Sequence, residues 1–166
     1  MDLTTVASIA GREQLSSESS TAEVQRTLAL AGAVLLLLGL LTGFFVSAAM
    51  GGRISADPHA ALASHLNALL GAFWIFGVGW TLPMLRFGPV GQRRLAALVI
   101  APNYANWIIT AVKACLKVSG VDLGGSAANN GVFVGLLIFV VTPSLAAAVA
   151  WLWGFGKARA ATPPAP

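Results

Sequence analysis

The stretch LALAGAVLLLLGLLTGFFVSAAM, Leu28–Met50, runs for 23 residues without a charge. A helix needs about 20 predominantly apolar residues to cross a hydrocarbon core of roughly 30 Å. Three further blocks have the same character: Leu66–Leu85, whose one strongly polar member is Asn67, then Leu95–Val112 and Gly131–Phe155. Each block is continuous rather than alternating, which selects helices over barrel strands. The reading is an all-α integral membrane protein, a four-transmembrane-helix bundle. Four helices are few for enclosing a pore or a large cofactor, so a homo-oligomer is expected.

Outside the apolar blocks lie two polar ends. Residues 1–26 carry REQ and SSESST without an apolar core segment, and they read as a disordered tail rather than a signal peptide. Residues 157–166, ending ATPPAP, read as a disordered C-terminal tail. Residues 27–156 between them form one membrane domain with no convincing internal repeat. Orientation follows from Lys and Arg. Arg12, Arg26, Arg86, Arg93, Arg94, Lys157 and Arg159 fall on the side of the termini, against Arg53, Lys113 and Lys117 opposite. That asymmetry predicts cytoplasmic N- and C-termini in a bacterial inner membrane. No outward-facing basic helix is present, so nucleic acid is not an expected partner.

Composition then narrows the chemistry. Of 166 residues, 57% are hydrophobic and 10% charged, and only six are Asp or Glu. Asp2, Glu13, Glu18 and Glu23 precede the first apolar block, leaving Asp57 and Asp122 for the rest of the chain. Paired-carboxylate hydrolysis and carboxylate-ligated metal sites therefore lack their residues. With Cys115 alone, no intrachain disulfide forms, and that thiol reads as buried and structural.

Polar groups inside the spans are costly in hydrocarbon and so mark function by default. Asp57-Pro58 reads as an N-cap followed by proline at the first helical position, which starts the second helix. His65 then projects from a face of small residues: Ala61, Ala68, Ala72 and Gly79. Such a face admits a neighbouring helix or a flat cofactor equally well. His59 lies elsewhere on the helix, at the membrane edge, and carries no expected role. On the third helix Asn103, Asn106, Thr110, Lys113 and Lys117 fall on one stripe, flanked by Tyr104 and Trp107. This stripe either lines a site or glues helices together. Antiparallel alignment of the second and third apolar blocks puts Thr110 level with Leu70 or Gly71, and His65 level with Lys113–Lys117. Weaker signals are a GxxxG at Gly39 and Gly43, a bend at Pro143, and a turn at Asn129-Asn130.

LGLLTGFF (Leu38–Phe45), SHLNALLG (Ser64–Gly71) and NYANW (Asn103–Trp107), in this order on four spans, resemble the hydroxylaminobenzene mutases. The resemblance covers about Leu28 to Phe155 and implies an isomerase that converts aryl hydroxylamines to ortho-aminophenols by intramolecular hydroxyl transfer. More distantly the chain resembles styrene oxide isomerase, a four-span protein with a b-type haem at a trimer interface. There a histidine near the start of the second span ligates iron and a proline ends that span, positions that carry onto His65 and Pro83. Asn106 matches an asparagine of that family's third span. Gly71 and Thr110 depart from its pattern, which has asparagine and a catalytic tyrosine at these places. Asn67 and Tyr104 are the candidates to supply the missing polar groups.

The resemblance thus implies haem b on His65, with Lys113, Lys117 or Arg53 pairing with its propionates. Asn67, Tyr104, Asn106 and Thr110 are the implied substrate-facing residues, acting on a small aromatic hydroxylamine that partitions from the bilayer. A homotrimer rests on the same analogy. Three other readings stay open: an epoxide isomerase, a non-enzymatic b-type haem-binding membrane subunit, and a small transporter or structural subunit of a larger complex.

Overall fold

A computed structural model describes the backbone of residues 3–156 and side chains from Glu18 onward. Helix α1 spans Leu3–Met50, α2 Pro58–Thr81 and α3 Pro89–Leu116. The fourth span is built from α4, Ala127–Leu136, a π-turn over Leu137–Val141, and α5, Thr142–Gly154. Four segments are long and apolar enough to cross a membrane: Glu18–Met50, Pro58–Met84, Pro89–Leu116 and Ala127–Gly154. No strand occurs among the described residues.

Local chemistry accounts for the helix boundaries. Asp57 accepts the Ala60 N–H at 2.6 Å and Pro58 occupies the first turn, as a capped start requires. α2 ends in a 3₁₀ turn, Leu82–Met84, centred on Pro83. Lys117 closes α3 in the left-handed conformation, φ 53°. Ser126 caps α4 by accepting from Asn129 N–H. In the fourth span, Pro143 has no N–H and crowds the carbonyl four residues before it. The chain relieves that conflict with the wider π-turn, and Thr142 Oγ1 donates to the Leu137 carbonyl.

Helices α1, α2 and α3 form the tight part of the bundle. Leu28, Leu35, Ala68, Ala72, Ile75, Val78 and Val99 are fully buried at its centre. The GxxxG pair faces α2: a Cβ added at Gly39 would sit 2.9 Å from that of Ala68. Small residues on both helices thus allow the close approach. The fourth span packs chiefly on α3. It is tied to α2 by the Trp151 indole, which donates to Thr81 Oγ1 at 2.9 Å, and to the α2–α3 connection by Arg86 N–H, which donates to the Gly154 carbonyl at 3.0 Å.

The N-terminal boundary differs from the one composition suggested. α1 is helical well before residue 26, and within Glu18–Arg26 the side chains are anchored. Val24 is buried, Gln25 Nε2 donates to the Gly79 carbonyl at 3.0 Å, and Glu23 pairs with Arg93 at 3.2 Å. The segment continues the helix and contacts α2 through Gln25 and α3 through Glu23. The expected tail at 157–166 lies outside the described residues.

Candidate functional site

α2 presents two polar residues at opposite edges of its packed face. Successive residues turn by about 100° on a helix, so His65 and Asn67 diverge from the buried line through Ser64, Ala68 and Ile75. His65 turns to α1. Its Nδ1 lies 2.7 Å from the Gly39 carbonyl oxygen, and Gly43 leaves open space beside Cε1. A carbonyl only accepts, so Nδ1 carries the proton and donates. Nε2 makes no hydrogen bond to any described residue. A backbone carbonyl behind one ring nitrogen is the usual way a ligating histidine is fixed in tautomer and orientation.

Asn67 turns to α3. Its Nδ2 donates to Asn106 Oδ1 at 3.0 Å and to Thr110 Oγ1 at 3.2 Å, and the Thr110 hydroxyl donates to Asn106 Oδ1 at 3.3 Å. The three side chains form a closed ring of hydrogen bonds between two spans. Two capacities are left over: both N–H donors of Asn106 and the Asn67 carbonyl oxygen. Thr110 is buried, while Asn67 and Asn106 are half-buried, so these groups stand at the rim of the helix contact. A polar rim inside a membrane span meets substrate, cofactor or a neighbouring chain.

The other expected site residues are placed apart. Tyr104 donates its hydroxyl to the Ala31 carbonyl at 2.8 Å, facing α1 rather than the amide ring. Lys117 Nζ bonds Ser55 Oγ at 2.6 Å in the α1–α2 loop, where Arg53 is exposed. Lys113 is half-buried on the last turn of α3, close to Gly120. Asn103 packs against Gly71, where an added Cβ would lie 2.7 Å from its Oδ1, and donates to the Val99 carbonyl.

These contacts correct the expected register of α2 against α3. Ser64 Oγ donates to the Trp107 carbonyl at 3.0 Å and Gly71 faces Asn103, so His65 is level with Trp107, not with Lys113–Lys117. The cause is plain. Alignment of the apolar blocks ignores the polar turns Pro58–His65 and Pro89–Arg94, which are helical too and shift the midpoints. Cys115 is also corrected: it is exposed, at a groove of about 390 Å³ shared with Thr42, Phe45 and Trp107.

One residue was undervalued by the sequence. Asn129 is buried and ties the α3–α4 loop together, accepting from Gly120 N–H and donating to the Asp122 and Gly124 carbonyls. The glycines before it were the available signal, since Gly120 and Gly125 both take positive φ.

Among the described residues no three His, Cys, Asp or Glu side chains come together. One histidine with a free Nε2 suits a metal whose other ligands arrive with it, as in a porphyrin. The donor set therefore fits haem iron and does not fit a zinc or calcium site.

Fold and site together define a small four-span helical membrane protein with a histidine bonded through Nδ1 to α1 and an amide–hydroxyl ring between α2 and α3. The family model of styrene oxide isomerase matches residues 24–156, and the chain belongs to that family. It is 29% identical over 153 residues to hydroxylaminobenzene mutase HabB of Ectopseudomonas oleovorans, covering 88% of this chain and 90% of that protein. No solved structure gives a significant match. The chain is accordingly an isomerase-type membrane protein.

Proposed function

We propose that this protein is a hydroxylaminobenzene mutase, converting an aryl hydroxylamine to an ortho-aminophenol, with haem b held through Nε2 of His65. The observation that carries the reading is the Nδ1–H bond from His65 to the Gly39 carbonyl, which leaves Nε2 free on a face of small residues. Similarity to HabB supports the substrate class. When bound, the haem iron supplies a Lewis acid that polarises the heteroatom centre.

The reaction balances as an isomerisation. The N–O bond breaks, a C–O bond forms at the ortho carbon, and the ortho hydrogen is exchanged for a proton on nitrogen. The uncommitted N–H donors of Asn106 hold the departing oxygen as negative charge builds on it. The Asn67 carbonyl oxygen accepts from the substrate N–H and orients the ring, and Thr110 fixes both amides through the hydrogen-bond ring. The Tyr104 hydroxyl, donating to the Ala31 carbonyl, ties α3 to α1 beside this ring. Lys113, Lys117 and Arg53 at the outer end of the bundle are the cations available to haem propionates.

His65 and Asn67 point from opposite edges of α2, so a substrate that meets both lies between two copies of the chain. That geometry supports a homo-oligomer, with a trimer as the assembly the family analogy supplies. Both termini are assigned to the cytoplasm of a bacterial inner membrane from the Lys and Arg distribution.

The test is direct. Detergent-purified protein supplied with phenylhydroxylamine is expected to release 2-aminophenol and to show a Soret band. A colourless, metal-free and fully active preparation would overturn the haem assignment. The family match favours one competing reading, an aryl epoxide isomerase. Offering styrene oxide and phenylhydroxylamine to the same membranes, and identifying the products, separates the two.

A further inference from the structure

Helices α1 and α3 leave an open groove between them at the end of the bundle that holds Arg93, a cavity of about 480 Å³. Val24 and Thr27 of α1 form one wall, and Ala97, Ile100 and Ala101 of α3 the other. Thr27 donates its hydroxyl to the Glu23 carbonyl at 3.0 Å, so its one donor is satisfied within α1. Ala97 and Ala101 are exposed, and no described residue covers that wall. Both walls belong to segments long and apolar enough to cross a membrane. From Arg93 to Ala101 the groove descends about 12 Å along the helix axis. That is close to the depth of one leaflet's hydrocarbon, about 15 Å.

The mouth of the groove is basic. Arg93 pairs with Glu23 at 3.2 Å across the opening, which takes up the one carboxylate present. Arg26 and Arg94 flank it. Arg26 lies three residues after Glu23 on α1, and Arg94 three before Ala97 on α3, a spacing that makes side chains neighbours on a helix surface. Both arginines are exposed, and neither has an ion-pair partner among the described residues. Three arginines against one carboxylate leave positive charge in excess beside an apolar slot. A molecule that answers both features has an anionic head and a hydrocarbon chain. The guanidinium fork matches phosphate oxygens, and basic pockets between membrane helices take acidic lipid headgroups.

We propose that this groove holds an acidic phospholipid, with one acyl chain between α1 and α3 and its phosphate on Arg26 and Arg94. The bound chain covers a seam that the protein itself leaves bare. The site uses neither His65 nor the amide ring, so it stands whichever isomerisation the protein performs.

The test is native mass spectrometry of the detergent-purified full chain, titrated with palmitoyl-oleoyl phosphatidylglycerol. Phosphatidylcholine with the same acyl chains is the control of zero net charge, and ammonium phosphate the control for a bare anion. Arg26→Gln and Arg94→Gln each remove one charge from the mouth. Ala97→Phe fills the groove from an exposed position, and Ala101→Leu fills it further down should the first variant fail to fold.

One tightly held phosphatidylglycerol per chain is expected, preferred about tenfold or more over phosphatidylcholine. Each arginine variant should weaken retention about fivefold, the effect of one basic residue at an acidic lipid surface. Either filling variant should abolish it. Equal retention of the two lipids, or retention indifferent to the arginine and filling variants, would overturn the proposal. Displacement of the lipid by ammonium phosphate would do the same, since it marks an anion site that has no use for the groove. A filling variant that keeps its lipid but changes the number of chains per particle would assign the groove to a second copy, and the lipid site would again be lost.

Discussion

The two edges of α2 solve different problems with neighbouring residues. At the His65 edge one side chain meets a backbone carbonyl of α1, and its outward nitrogen is left uncommitted. At the Asn67 edge three side chains satisfy one another, and only surplus donors and an acceptor remain. The first arrangement fixes the orientation of a single ring nitrogen. The second fixes a set of directions for hydrogen bonding. A lone histidine in a membrane needs a partner for one nitrogen before the other is useful, whereas an amide ring is stable before any substrate arrives.

The largest effect should come from His65→Ala, with both the Soret band and turnover lost; an active, coloured variant would show that the α1 edge carries no chemistry. Next, Asn106→Leu should lower kcat by about a hundredfold to a thousandfold, the range for a lost donor to developing charge, with the absorption spectrum unchanged. If that variant also bleaches the protein, the two edges are not separable.

Gly39→Val places bulk where a Cβ already meets Ala68 and Leu69 too closely. Overpacking of this kind costs about 1–3 kcal/mol. Thermal melts should fall accordingly, and haem retention should fall with them while the amide edge is untouched. Trp107→Phe deletes the indole bond to Thr42 at 3.0 Å, a tie between α1 and α3 that bypasses both edges. Interhelical hydrogen bonds in membranes average about 0.6 kcal/mol, so a small drop in melting temperature with normal kcat is expected. Smallest of all, Glu23→Gln should shift stability by less than about 1 kcal/mol, because both side chains of its ion pair are more than 60% exposed.

How much of this was written in the sequence depends on whether a residue's partner has a signature. Four spans were legible because hydrocarbon forces long uncharged runs, and the start of α2 because Asp-Pro has a known capping geometry. Asn106 and Thr110 were legible as a stripe, and Asn67 as the one strongly polar member of its block. Their mutual bonding was not, since it depends on a register between helices that apolar blocks measure badly. The partner of His65 was invisible for a different reason. It is a main-chain oxygen, exposed to the imidazole because Gly39 brings the backbone close. Glycine spacing hinted at the approach of α1 but not at what would approach it. Asn129 was lost among glycines whose conformations only the folded loop reveals.

The π-turn at Leu137–Val141 sets the phase of everything after it. A π-turn takes up one residue more than an α-turn, and each residue advances a helix by about 100°. Deleting a single residue from Leu137–Val141 would restore an ordinary helix with α5 still in phase, whereas forcing all five residues into α geometry would swing α5 through that angle. Trp151 would then turn away from Thr81, and the Gly154 carbonyl away from Arg86. The last span behaves as a dial with one correct setting. A one-residue deletion at that turn should therefore be tolerated better than a one-residue insertion, which the already widened turn has no further room to absorb.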